Sequence, residues 1–339
     1  MGIRRVSGKA LLTTVVALAL AAGCSNSGNG SNAGRLEKPV LTVAVVPAVD
    51  SAGFFVALDQ GLFKAQGLTV NFTPVTSSED VIASQVQGTY DITGGNYVSY
   101  IQAQQERKAN LDIFAEGSLM EPGTQGIYTL PDSPVRSLAD LRGQTVAINA
   151  PNNVLFLLTA SVLAEHGISP QSVHFASIPF QEMQDELSSD AVSAAVMPEP
   201  FASGAEKAQG GVPLADLDQG ATTSFPVEGY VVTKQWAARY PHTLAAFYTA
   251  LEQGQRLADV SRAAAERAMV DMPAPFGVSA ETAALMALDS YPVSTGPPGS
   301  VDKVRLQRVV DVMRQFLNFP AFDISPMLTG SGQGRRATG

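Results

Sequence analysis

Two parallel α/β lobes are predicted by an alternation of short β-branched runs with longer stretches of helical apolar spacing, which begins near Pro39 and restarts after Pro122. A third observation places the end of the pattern: from Gly229 one more strand is followed by almost wholly helical sequence as far as Leu328. That last segment is expected to return to the first lobe and cover it, because helices with a single strand make a poor separate core. Leu41-Thr-Val-Ala-Val-Val46 is nearly continuous and β-branched, which suits a strand covered on both faces. Phe54, Phe55, Leu58, Leu62 and Phe63 follow at helical spacing, and 68–72 reads as a second strand, closing a βαβ unit. Val81, Ile82 and Val86 mark a helix, 91–93 a short strand, Gly94-Gly95-Asn96 a turn, and 111–115 a further strand. The second series has strands at 127–130, 145–149, 173–178 and 193–197, with helices over about 153–166 and 181–187.

The N-terminus has the order of a secretory signal. Arg4, Arg5 and Lys9 precede an apolar run from Leu11 to Ala22 that stops at Gly23-Cys24. That run is too short to span a bilayer of roughly 30 Å as a helix, and a Ser/Asn/Gly tract follows it. Cys24 is the single cysteine, so a disulfide framework is impossible. Its position resembles a bacterial lipoprotein signal, which implies lipidation there and attachment to the outer face of the cell membrane; an ordinary secretory signal with an incidental cysteine is the plainer reading. Sec export is the default, with Arg4-Arg5 as the one hint of a twin-arginine route. The formal net charge of −9 becomes more negative without residues 1–23, which hold three basic and no acidic residues. So acidic a chain argues against nucleic acid as a partner.

In order and spacing, several motifs resemble those of periplasmic-type solute-binding proteins of the nitrate, sulfonate and thiamine-precursor importers, the NMT1/THI5-like and SsuA-like group. The carriers are Ala52-Gly-Phe-Phe-Val-Ala-Leu-Asp-Gln-Gly-Leu-Phe-Lys-Ala-Gln-Gly-Leu68, Gln87-Gly-Thr-Tyr-Asp-Ile-Thr93, Ser137-Leu-Ala-Asp-Leu-Arg-Gly-Gln-Thr-Val-Ala-Ile148, Glu165-His-Gly-Ile-Ser-Pro170, Ala195-Val-Met-Pro-Glu-Pro200 and Ala238-Arg-Tyr-Pro-His-Thr-Leu-Ala-Ala-Phe247. The resemblance implies a two-lobed type II binding-protein fold with parallel-rich sheets, two crossover strands and a ligand cleft between the lobes. The expected division is a signal at 1–23, a linker at 24–38, lobe 1 from 39–120 plus 228–328, lobe 2 from 121–227, and a tail at 329–339. It implies a monomer that captures a small solute without cofactor, metal or chemistry and delivers it to an ABC importer's permease and, through it, an ATPase.

The resemblance places ligand-facing loops at Pro47, Asp50, Ser51 and Phe54; Gly95, Asn96 and Tyr97; Glu116; Asn149, Asn152 and Asn153; Glu199; and Glu228 and Tyr230. Asn152 and Asn153 precede a helix, where they either cap it or leave amides free for an acceptor group. Phe54, Tyr97, Phe156 and Tyr230 could wall a planar ring, or Phe54 and Phe156 could be core. The loops bring Asp50, Glu116, Glu199 and Glu228 but no Arg or Lys, which favours a neutral or weakly basic molecule, such as a pyrimidine-like vitamin precursor, over nitrate or an alkanesulfonate.

Two other classes compete. Some enzymes of the related fold make a pyrimidine, but their cysteine-rich stretch is missing, and His166, His174 and His242 have no metal-ligand spacing. A transcription regulator would need a helix-turn-helix where the signal sequence stands.

Overall fold

A computed structural model describes Gly2 and residues 35–292 and 300–328 of the 339-residue chain, so Cys24, the signal segment and the 329–339 tail lie outside the described residues. The described residues from Arg35 onwards belong to one compact unit. Its strands, in chain order, are β1 (Val40–Val45), β2 (Thr69–Pro74), β3 (Ile92–Asn96), β4 (Leu111–Glu116), β5 (Gln125–Thr129), β6 (Thr145–Ile148), β7 (His174–Ser177), β8 (Ala194–Pro198), β9 (Val212–Asp216) and β10 (Glu228–Thr233). They make two five-stranded sheets, ordered β2-β1-β3-β10-β4 and β7-β6-β8-β5-β9.

The expected parallel lobes are in fact mixed sheets. β10 runs antiparallel to β3 and β4, and β5 runs antiparallel to β8 and β9. Apolar alternation has the same period whichever way a strand runs, so the direction was not readable from it. Gly94 and Gly95, expected as a turn, are instead the middle of β3, and all five of its residues are buried. Within the second sheet, β9 is an edge strand that the sequence pattern did not predict.

The first sheet packs on the helices Ala52–Asp59 and Pro241–Val260. These two helices approach so closely that a Cβ on Gly254 would lie 2.3 Å from the Gly53 carbonyl oxygen. Their contact seals an aromatic core of Phe54, Phe63, Phe114, Tyr230 and Phe247. The helix Lys303–Phe316 departs from the expectation that the returning segment covers the first lobe alone. Its stripe of Leu306, Val309, Val310 and Met313 packs into one apolar cluster with Val98 and Ile101 beside the first sheet and Leu155 and Leu158 beside the second. The i, i+3, i+4, i+7 spacing of that stripe gives the helix an apolar side broad enough to serve both.

Candidate functional site

The two antiparallel strands decide where a site can form. Because β10 runs against β3, its first residue, Glu228, pairs with Asn96, the last residue of β3. Because β5 runs against β8, its first residue, Gln125, pairs with Pro198, the last of β8. The carboxyl ends of β1, β3, β6 and β8 and the starts of β5 and β10 thus meet between the sheets, where open α/β folds hold ligands. A cavity of about 30 Å³ lies there, lined from the first lobe by Asp50, Gly95, Asn96 and Glu228 and from the second by Gln125, Asn149, Asn153 and Phe180. That volume holds about one to three water-sized groups, and the lobes touch across it. The Val49 amide donates to the Glu199 carbonyl at 2.9 Å, and the Asn149 amide group donates to the Thr76 carbonyl at 3.4 Å.

The lining mixes apolar side chains such as Val46, Val154, Leu155 and Val227 with polar ones, whose donors are mostly engaged. Ser51 donates to Glu228 Oε2 at 2.6 Å, and Gln125 Nε2 donates to Asp50 Oδ1 at 3.1 Å. Asn96 accepts from the Ser99 amide and donates to Ser78 Oγ; Asn153 accepts from the Phe156 amide and donates to Asn149 Oδ1. Both asparagines therefore cap helices while facing the cavity. Gly95 is required for this packing, since a Cβ there would meet Ser78 Oγ at 2.1 Å.

Acceptors are in surplus. Glu228 is 2% exposed and Gln125 1%, yet Glu228 Oε1 and Gln125 Oε1 have no hydrogen-bond partner. Burial, with Asp50 nearby, pushes the Glu228 carboxyl up to about 8. Asp289 sits behind Asp50, within hydrogen-bonding reach of it and of the Thr124 and Ser118 hydroxyls. Burial and the Asp50 charge hold Asp289 well above the usual carboxylate range. None of the cavity-lining residues is Lys, Arg or His.

Several expected site residues stand elsewhere. Phe54, Tyr97 and Tyr230 are enclosed, Phe54 fully so among Phe55, Phe63, Phe72 and Phe247. Phe156 packs edge-on against Phe175 at 5.0 Å. The four aromatics therefore build cores rather than a ligand wall, because rings on helix and strand interiors lose less by packing on one another than by facing a wet cleft. Phe180 is the one aromatic on the cavity. Glu116 is drawn off by Arg305 at 2.5 Å and by the Asp302 amide. Glu199 turns its carboxylate to the Ser203 amide and hydroxyl and the Ala287 amide, along a separate groove. Asn152 is exposed with φ 56°, and its carbonyl accepts from Gln102. Pro47 is buried in the loop that carries Asp50.

The residues that sequence reading missed are Gln125, Phe180, Asp289 and Tyr291. Tyr291 ties the irregular 286–291 stretch to the cleft loop, its hydroxyl donating to the Val49 carbonyl at 3.1 Å and accepting from the Gly53 amide at 2.9 Å. The only local signal was an Asp and a Tyr within an otherwise apolar run, Met286-Ala-Leu-Asp-Ser-Tyr291.

Comparison with known proteins matches residues 48–259 to the NMT1/THI5 like family. The chain belongs to that family. No curated protein matches this NMT1/THI5-like chain. Among solved structures, it is similar to the ligand-binding component of an ABC-type import system from Staphylococcus aureus with zinc bound (15% identity, TM-score 0.71, 86% of this chain and 96% of that one). It is also similar to the alkanesulfonate-binding protein SsuA from Xanthomonas axonopodis pv. citri bound to MOPS (17%, 0.69, 86% and 99%). A third similar structure is the desulfurization enzyme DSZB (13%, 0.61, 84% and 94%). The NMT1/THI5-like chain thus has the two-lobed periplasmic-binding-protein fold, a scaffold that carries both binding and catalysis.

Proposed function

We propose that the protein is the extracytoplasmic solute-binding component of an ABC importer, capturing a small, weakly basic organic molecule between its lobes and presenting it to a permease coupled to an ATPase. The observation that carries this reading is the cavity where both sheets' strand ends converge, lined by carboxylates from the first lobe and by side-chain amides from both. A solute touching both sides favours the closed arrangement only by its extra affinity for it, so capture requires no chemistry. The importer components among the similar structures support the class.

The lining bears on the solute in two ways. A strong anion such as nitrate or an alkanesulfonate would face Asp50 and Glu228 with no guanidinium or ammonium to receive it. A pyrimidine-like vitamin precursor offers N–H groups to these acceptors, with Phe180 as the ring contact in place of the four aromatics that the sequence suggested. Lipid attachment through Cys24 and a monomeric state belong to the same proposal. Among the described residues no helix is long and apolar enough to cross a membrane.

A thermal-shift screen of residues 35–339 against pyrimidines, thiamine precursors, other vitamins, alkanesulfonates, taurine and nitrate tests the reading. A solute at about 100 times its dissociation constant should stabilise the native state by roughly 2.7 kcal/mol and raise the unfolding midpoint. A midpoint raised by one weakly basic compound, recovered unchanged from the mixture, is the expected result. Recovery of a converted compound would contradict capture without chemistry.

A further inference from the structure

We infer that the captured solute carries a protonated nitrogen, an ammonium or amidinium, which docks between Asp50 and Glu228 with the Gln125 side-chain oxygen as a further acceptor. The inference rests on the binding-protein reading above and names the solute's charge.

Three independent features of the cavity converge on it. Its carboxylates have no cationic neighbour in the lining, and Arg305, the guanidinium on the helix that joins the lobes, is engaged by Glu116 and lies 3.7 Å from Asp302. Two side chains, Glu228 and Gln125, are each at least nine-tenths buried, line the cavity and hold an oxygen with no hydrogen-bond partner. Gln125 is not acidic, so its orphaned oxygen is evidence for a donor separate from the charge of the cluster. Finally, most local side-chain donors already have an acceptor, Ser51 in Glu228, the Gln125 amide group in Asp50, and those of Asn96 and Asn153 in Ser78 and Asn149.

A buried acceptor left unpaired is costly, and a buried carboxylate without a cation more so, which is why Glu228 keeps a proton in the solute-free protein and would release it to a docked cation. What the cavity lacks is a group with several N–H donors and a positive charge, and hydrogen bonds between such a group and a carboxylate are roughly twice as strong as neutral ones. A metal ion would supply charge but no N–H donors, and among the described residues no group of three or more His, Cys, Asp or Glu has the geometry to hold one. A cavity for about one to three water-sized groups has room for the head of such a cation.

The test is calorimetric titration of residues 35–339 with matched pairs: benzylammonium and benzyl alcohol, benzamidinium and benzamide, and aminomethyl- and hydroxymethyl-pyrimidine, alongside methanesulfonate and nitrate. The cationic member of at least one pair is expected to bind at least about tenfold more tightly than its neutral partner. Asp50→Asn and Glu228→Gln should each reduce that preference at least about tenfold while the far-ultraviolet circular dichroism stays unchanged. The comparison within each pair uses the native protein, so it holds even where a variant fails to fold. Equal or tighter binding of a neutral or anionic member would overturn the cation inference and leave the binding-protein reading standing. No binding by any member would count against both.

Discussion

Glu228→Gln is expected to flatten the pH dependence of stability of the solute-free protein and to raise its stability near pH 8. Burial, followed by the Asp50 carboxylate, lifts the Glu228 carboxyl to about 8 from the 4.5 of an exposed glutamate, while the Ser51 and Tyr230 hydroxyls pull it down less strongly. The folded protein therefore holds a proton that the unfolded chain has released. The contribution is fully present below pH 4.5 and is lost as the pH rises through about 8. A shift of this size corresponds to at most about 5 kcal/mol, an upper bound because opening of the cleft rehydrates the group. Asp289 and Asp50, both raised by burial, act in the same sense. Glu37 acts in the opposite sense: although partly desolvated, it is held down at about 2 by the Thr243 and His242 amides, so its contribution is present above pH 4.5 and is lost as the pH falls from there through about 2. Urea denaturation between pH 5 and 8, as rough bounds of that window, should show native stability declining and the Gln variant declining less steeply, the remaining slope coming from Asp50 and Asp289. Parallel curves for the two proteins would remove Glu228 from the account.

Phe54→Ala should lower the unfolding free energy by roughly 3–5 kcal/mol. Phe54 is 0% exposed and touches five rings, its centroid 5.4 Å from Phe55, 5.5 Å from Phe63 and 6.3 Å from Tyr230, so truncation leaves a cavity that neighbours on three helices and two strands cannot close. Phe54→Leu, which keeps most of the volume, should cost much less. The folded fraction of either variant should bind solute as the native protein does, because the side chain does not reach the cleft. Native-like stability with lost binding would instead make Phe54 a ligand wall.

The sequence was most informative where physical signals are local. β1, the following helix and β2 were legible because a continuous β-branched run and a helical apolar spacing each have a single economical interpretation. β9 was missed because Pro213 demotes a run to an edge or non-strand and its Val212 end is exposed. The glycines of β3 carry no side chain with which to announce alternation. The loops after the strands were found by position, which brought Asp50, Asn96, Asn149, Asn153 and Glu228 into view, and all five line the cavity. Residue type could not tell a ring in a core from a ring on a cleft, which is why Tyr97 and Tyr230 read as candidate walls and Phe54 and Phe156 as either wall or core. Asp289 and Tyr291 reach the cleft from about the last sixth of the chain, through tertiary contacts with Val49 and Gly53 that no local pattern encodes.

The most direct measurement is small-angle X-ray scattering of residues 35–339 alone and saturated with a solute that raises the unfolding midpoint. Capture by lobe closure predicts a smaller radius of gyration in the bound state, and loss of that change in Asp50→Asn at the same solute concentration. Identical scattering curves with the solute demonstrably bound would contradict closure on a ligand in this cleft.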